Sequence, residues 1–339
     1  MPVFFRSLAV MFKAGITLDR ALTLLSQRSD DKALAAVCRD LACEVAAGLP
    51  FSQTLMLHPR AFTALQARLI QVGERTGNLD KILNRLANYE EKRRGMATRV
   101  QSALAYPALL FVLAVLMLVI LPPYLQQGLF QIIATSGVQP PLLTRLVMAF
   151  SDFVRSPLFY VLGLAVAGGC YTFLPGFLAR PGVRRRLSTW MLRLPLLGKT
   201  YRTLGASRFT RAMEVQLEAG EMPLPALQLA AETTDNPVLL ERIPRAIELL
   251  RAGATLSQAL ESTGFFPPTV VHMVRAGEET GEIPRMMGRA ADLTEGDLDL
   301  TLDTLTALLE PLVMLVMGVL AGIVVLATLL PMLTLLRTL

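Results

Sequence analysis

The chain has 339 residues, of which 53% are hydrophobic and 18% charged, and it carries a net charge of +6. That much apolar side chain exceeds what a soluble core hides, and that much charge exceeds what a bundle made only of membrane spans holds, so both extremes are excluded. What remains is a set of soluble helical segments joined to a few spans. The basic excess reads as topology and anionic lipid rather than nucleic acid, because neither a recognition module nor interleaved aromatics accompany it.

In chain order, the start MPVFFRSLAVMFKAG carries Arg6 and Lys13 and no long apolar core, so it does not read as a cleaved signal peptide. Apolar residues at three- and four-residue steps predict two helices over residues 4 to 26, meeting at Ala14-Gly15, where Gly15 suits a left-handed helix end. A helix over 31 to 47 stops at Gly48-Leu49-Pro50, and Ser52 is placed to cap the next one. Another helix runs to Val72 and stops at Gly73-Glu74-Arg75-Thr76-Gly77, and Gly77 or Asn78 opens a long helix toward Tyr106. Cys38, Cys43 and Cys170 do not suggest a disulfide framework, and His58 and His272 are too few for a zinc site.

Residues 101 to 144 carry no charge, and Tyr106 to Tyr124 reads as a first span with Pro122-Pro123 near its end. Gln126, Gln127, Gln131 and the Ser-Gly and Pro-Pro pairs mark a polar loop up to about Pro141. Pro157 to Ala179 is a second span, with Gly163, Gly168, Gly169 and Gly176 permitting close helix contact. Glu310 to Leu336 is free of charge after its first residue and long enough to cross a bilayer, so it is the third. Lys92, Arg93, Arg94 and Arg99 precede the first span, and Arg180, Arg184, Arg185 and Arg186 follow the second, while only Arg145 and Arg155 lie between. The positive-inside rule puts both ends of that pair in the cytoplasm, and parity puts the tail, residues 337–339, in the periplasm.

The chain also repeats itself. Residue n placed beside n+205 puts Ala14-Gly15 on Ala219-Gly220, Ala47-Gly48 on Ala252-Gly253 and Ser52-Gln53 on Ser257-Gln258. After one lost residue, Gly73-Glu74, Thr76 and Gly77 fall on Gly277-Glu278, Thr280 and Gly281, and Pro107 on Pro311. Such sustained register marks a duplication. The expected layout is a first helical domain at 1–103, spans at 104–125 and 157–179 around a periplasmic loop at 126–156, a basic linker and second helical domain at 180–306, a span at 307–336, and the tail.

The doubled Gly-Glu-x-x-Gly, the Leu309-Glu310-Pro311 approach to the last span, and Leu194-Pro195-Leu196-Leu197-Gly198-Lys199 ahead of Arg208-Phe209 resemble one family over nearly the whole chain. It is the inner-membrane platform of type II secretion and type IV pilus machines, the GspF/PilC family. Members usually carry an additional N-terminal segment, whereas this sequence begins almost at the first helical domain. The resemblance implies an all-α membrane protein with two homologous cytoplasmic helical-bundle domains and three transmembrane helices, in the bacterial inner membrane with its N-terminus cytoplasmic. It further implies a homo-oligomeric, non-enzymatic platform linking a cytoplasmic hexameric ATPase to pilin or pseudopilin subunits, beside other inner-membrane assembly proteins and lipid.

No Gly-rich phosphate loop ending in Lys-Ser/Thr is present, so the energy must come from a partner. No cofactor is expected. A transporter or channel is the alternative, but three spans without a central charge do not suit it, and a membrane protease lacks a paired acid or nucleophile set.

The candidate residues are structural or partner contacts. Gly73, Gly77, Gly277 and Gly281 are expected at sharp corners with positive φ, and Glu74 and Glu278 are expected to accept amides at the next helix start, with partner contact as the sharper reading. Gly15 and Gly220 are equivalent turn glycines. Glu310 with Pro311 reads as an interfacial helix start, or as a contact locking the third span to another helix. Asp292, Glu295, Asp299 and Asp303 share a helix face. Asp297 and Asp303 correspond to Arg93 and Arg99, so the two faces read first as solvated, and more sharply as a basic and an acidic stalk helix that meet within one subunit or between subunits, Arg99 with Asp303. The row Glu214, Glu218 and Glu221 offers hard-ion ligands, but reads first as a solvent face or protein contact.

Overall fold

The computed structural model describes residues 2–28, 31–136, 141–178, 182–183, 186–188, 190 and 195–338. Arg180, Arg184, Arg185, Leu194, the side chains of 121–140 and of Cys170, and those of the 337–339 tail lie outside what is described. The described residues are helical and contain no strand.

The first repeat consists of α1 (Pro2–Lys13), α2 (Leu18–Arg28), α3 (Lys32–Ala46), α4 (Phe51–Leu57), α5 (Ala64–Thr76) and the beginning of α6 (Leu79–Ser136). α7 (Leu142–Arg155) and α8 (Pro157–Leu178) follow. The second repeat consists of α9 (Pro195–Glu218), α10 (Pro223–Thr234), α11 (Pro237–Arg251), α12 (Leu256–Ser262), α13 (Pro268–Thr280) and the beginning of α14 (Ile283–Thr338). The duplication read from sequence therefore holds helix by helix.

Local chemistry sets most of these boundaries. Asp31 accepts from the amides of Ala33 and Leu34 at the start of α3, and Asn236 does the same for Val238 and Leu239 at α11. Thr63 with Gln66 and Thr255 with Gln258 close reciprocal capping boxes on α5 and α12. Ser52 does not cap α4. Pro50 occupies that position without a side-chain bond, and Ser52 lies inside the helix.

The chain divides into two compact units. One unit, Met1–Arg99 with Arg185–Thr301, holds both repeats. They share one continuous apolar core rather than two separate ones. The same aromatic contact occurs in each: Phe4 lies 5.4 Å from Phe62, and the equivalent Phe209 lies 4.6 Å from Phe266.

The other unit, Val100–Arg184 with Leu302–Leu339, exposes large apolar side chains such as Leu109, Phe111, Leu312 and Leu315. Two helices, over Leu79–Met117 and Ile283–Ala327, are long and apolar enough to cross a membrane. Inside this unit Thr144 donates to the Ala327 carbonyl at 2.9 Å, a hydrogen bond shielded from solvent. α6 continues through Pro122-Pro123 to Ser136, and α7 forms where the sequence reading expected no regular element. Pro122 and Pro123 mark the end of an apolar run, but an apolar setting tolerates proline inside a helix.

Candidate functional site

The chemistry of the helical unit is concentrated where α6 and α14 leave their repeats. Each departure is built from three parts.

The first part is the Gly-Glu-x-x-Gly turn. The helix does not stop at Gly73: α5 runs on to Thr76, and α13 likewise runs on to Thr280. The two glycines of each motif do different work. Gly77 and Gly281 end the helices in the left-handed region, at φ 68° and 72°. Gly73 and Gly277 instead permit close approach. A Cβ on Gly73 would meet Ile82 Cγ1 at 3.0 Å, and one on Gly277 would meet Ile283 Cα at 3.0 Å. Positive φ was expected at all four positions, and Gly73 and Gly277 are the correction. Gly15 and Gly220 do adopt positive φ, at 80° and 91°.

The second part is the motif glutamate. Glu74 accepts from the Ser52 amide at 3.3 Å and the Ser52 hydroxyl at 2.5 Å. Glu278 accepts from the amides of Leu256 and Ser257, the latter at 3.3 Å. Each carboxylate thus satisfies the first turn of α4 or α12, the helix that precedes its own, and not the helix that follows as expected. The chemistry is as anticipated, since unpaired amides at a helix start attract an anion. The direction differs because the repeat folds back on itself.

The third part was missed by sequence reasoning. Arg6 on α1 donates to Asn84 at 2.7 Å, to Asn88 at 2.6 Å and to Glu91 at 2.7–2.9 Å, all on one face of α6. Its equivalent, Arg211 on α9, donates to Asp292 at 2.6 Å and Glu295 at 2.8 Å on α14, and to Glu214 at 2.6 Å. Where α6 has Asn84, α14 has Gly288, and Glu214 fills the space that a Cβ there would take. The signal was present: an arginine at both members of an equivalent pair, each matched by acid or amide side chains at helical spacing.

The second clamp is strongly charged, and its arginine is buried while Asp292 at its edge is exposed. Burial alone would lower the affinity of Arg211 for its proton, but its hydrogen bonds to Asp292 and Glu295 and the charge of Glu214 outweigh it, so its pKa is raised. Burial raises Glu214 in spite of Arg211. Burial acts the same way on Asp292, but the hydrogen bonds from Arg211 and Lys92 prevail and lower it.

The two departing helices are bound to each other by charge. Lys92 Nζ lies 3.2 Å from Asp292, and Arg99 Nη1 lies 2.5 Å from Asp299. The expected meeting of a basic and an acidic helix is therefore present within the chain. The expected partner of Arg99, Asp303, is exposed on the next turn. The helices pair about one turn away from repeat register, so equivalence under duplication does not predict which side chains touch. The acidic row of α9 and its turn is a protein contact: Glu214 bonds Arg211, Glu218 pairs with Arg85 at 3.5 Å, and Glu221 with Arg68 at 3.0 Å. Among the described residues no group of three His, Cys, Asp or Glu is arranged to hold a metal. Glu310 is half-buried and Pro311 exposed within α14, well inside the helix and not at its start.

These features describe a class: a duplicated helical unit, its repeats joined through one core and through charge, with two helices leaving that are apolar enough to span a membrane. The family profile described as Type II secretion system (T2SS), protein F matches residues 4–122 and 209–331, one stretch per repeat. The chain is 34% identical to the Type IV pilus assembly protein PilC of Thermus thermophilus, over 100% of this chain and 83% of that protein. It is 31% identical to the Type II secretion system protein F of Pseudomonas aeruginosa, over 97% and 81%. It is 32% identical to the Type 4 fimbrial assembly protein PilC of Pseudomonas putida, over 97% and 82%. The chain belongs to the type II secretion system protein F family.

Proposed function

We propose that this chain is an inner-membrane platform of a type IV pilus or type II secretion machine. In this reading it is a non-enzymatic homo-oligomer with three spans, α8 being the second, between those of α6 and α14, and with its N-terminus and both helical repeats in the cytoplasm. The repeats receive work from a cytoplasmic assembly ATPase and pass it through α6 and α14 to pilin or pseudopilin subunits leaving the membrane. One observation carries the mechanical part. Each of α6 and α14 holds, in one unbroken helix, both an arginine-clamped segment and an apolar run. The clamps, the shared core and the pairs Lys92–Asp292 and Arg99–Asp299 favour a unit that moves as one body under load.

The purified full chain in liposomes tests this reading against a transporter. The platform reading predicts binding of the bacterium's own assembly ATPase to the outward-facing repeats and no solute flux. Flux without ATPase binding overturns it.

A further inference from the structure

The two repeats are joined head to tail, and this leaves a matching pair of faces open on the helical unit. Inside the chain, the α6 face bearing Tyr89, Arg93 and Met96 lies on α9 and α10. These three residues line a cleft of about 440 Å³ with Arg208, Arg211 and Thr233. Ser207 Oγ lies 3.1 Å from Met96 Sδ, and Tyr89 reaches Thr233. Tyr89 is so enclosed that burial pushes its hydroxyl up to about 12.

By the duplication, the counterpart of that α6 face is Leu293, Asp297 and Leu300 on α14. The counterpart of the receiving face is Val3, Arg6 and Arg28 on α1 and α2. Neither face is buried. Leu293 is 47% exposed and Leu300 68%, where Tyr89 and Met96 are 7% and 5%. Val10 is 61% exposed, where its equivalent Val215 is 5%. The open receiving face is a groove of about 630 Å³ lined by Val3, Arg6, Val10, Leu24 and Arg28. The charges are complementary in sign: the groove carries Arg28, Arg6 being held by Glu91 of the same chain, and the α14 face carries Asp297.

We propose that the α1–α2 groove receives the Leu293–Leu300 face of α14 from a second copy of this chain. The contact between chains repeats the one that α6 makes with α9 and α10 inside a chain. Burial of Val10, Leu24, Leu293 and Leu300 supplies the attraction. Asp297, which replaces the basic Arg93 of the internal contact, sets register and partner choice against Arg28, which replaces Thr233. The contact is heterologous, so it joins chains head to tail. The inference rests on the homo-oligomeric part of the function proposed above.

The test uses the full chain in native membranes, expressed together in two differently tagged forms. Cys38, Cys43 and Cys170 are replaced by alanine in both. One form carries Arg28→Cys and the other Asp297→Cys, and a short thiol cross-linker is added. The expected result is a product bearing both tags, lost when Asp297→Cys is exchanged for Glu279→Cys. Co-purification of the two tags without cross-linker reports self-association separately. Co-purification without the cross-linked product overturns this interface and leaves the homo-oligomer standing, whereas no co-purification overturns both. Charge supplies an independent readout: Arg28→Glu is expected to reduce co-purification and Asp297→Lys in the same chain to restore it. Failure to restore also contradicts the interface.

Discussion

Arg6 and Arg211 stand at equivalent positions in the two repeats and grip the helices that leave them, but only Arg211 is buried in doing so, at 3% side-chain exposure against 37%. The difference decides what each is worth. Loss of Arg211 leaves Glu214 and Glu295 without their cation, while Asp292 keeps Lys92. Removing one partner of a buried ion pair costs ~3–5 kcal/mol, and because Asp292 is 64% exposed the loss here falls below that range. Arg211→Met is therefore expected to lower the unfolding midpoint of the detergent-solubilised chain strongly. Arg6→Met is expected to lower it only slightly, because exposed ion pairs contribute little. Equal shifts for the two variants contradict this assignment.

The same cluster predicts a pH dependence of stability. Asp292 titrates below its unfolded value of about 3.9, so its contribution is fully present above that pH and is lost as pH falls through its lower folded value. Glu214 has the opposite sign. Its folded pKa is raised, so ionisation costs stability at neutral pH, and acidification through the raised value relieves that cost. Unfolding midpoints measured from neutral pH downward are expected to separate the two. Asp292→Asn flattens the acid limb, below the ordinary carboxylate range. Glu214→Gln removes the component above it.

The two glycines of each turn motif are separable by substitution. Gly77→Asn is expected to be mild, because asparagine tolerates the left-handed region and nothing lies near its Cβ. Gly73→Asn places atoms against Ile82 and the Leu79 backbone. Overpacking of this kind costs ~1–3 kcal/mol. Gly281 and Gly277 are expected to behave as the same pair. Thermal unfolding that ranks Gly77→Asn as the worse variant contradicts the division of roles.

The pairing of α6 with α14 predicts which charge reversal is rescued. Arg99→Asp sets two carboxylates opposite each other at position 299. Asp299→Arg restores attraction, and Asp303→Arg, which the repeat register alone suggests, does not. The effect of one exposed pair is small, so the readout is a thiol cross-link between Cys substitutions at Lys92 and Asp292, whose yield drops in Arg99→Asp and recovers only in the 299 double variant. Recovery with 303 contradicts the observed register.

Much of this was legible in the sequence because duplication leaves two imperfect copies of one message. Helix periodicity and turn glycines located α1 to α5, and the shift between copies located their counterparts. The apolar runs marked α6 and α14 as membrane-spanning candidates. What escaped was anything fixed by how the repeats fold back or meet. Glu74 and Glu278 were identified but assigned to the wrong helix start, because spacing along the chain cannot show that α5 returns to α4. Asp303 was chosen because homology gives equivalent positions, whereas packing pairs α6 and α14 one turn away. Arg6 and Arg211 were not singled out, and only their partners at Asn84, Asn88 and Glu91, and at Asp292 and Glu295, make them clamps.

The most direct measurement is a clean deletion of the gene in the native bacterium, scoring surface pili and exported proteins side by side, with the intact gene restored as control. The platform account predicts loss of one of the two, pili or export, and its return on complementation. Both remaining normal while the gene is expressed in the parent strain contradicts it.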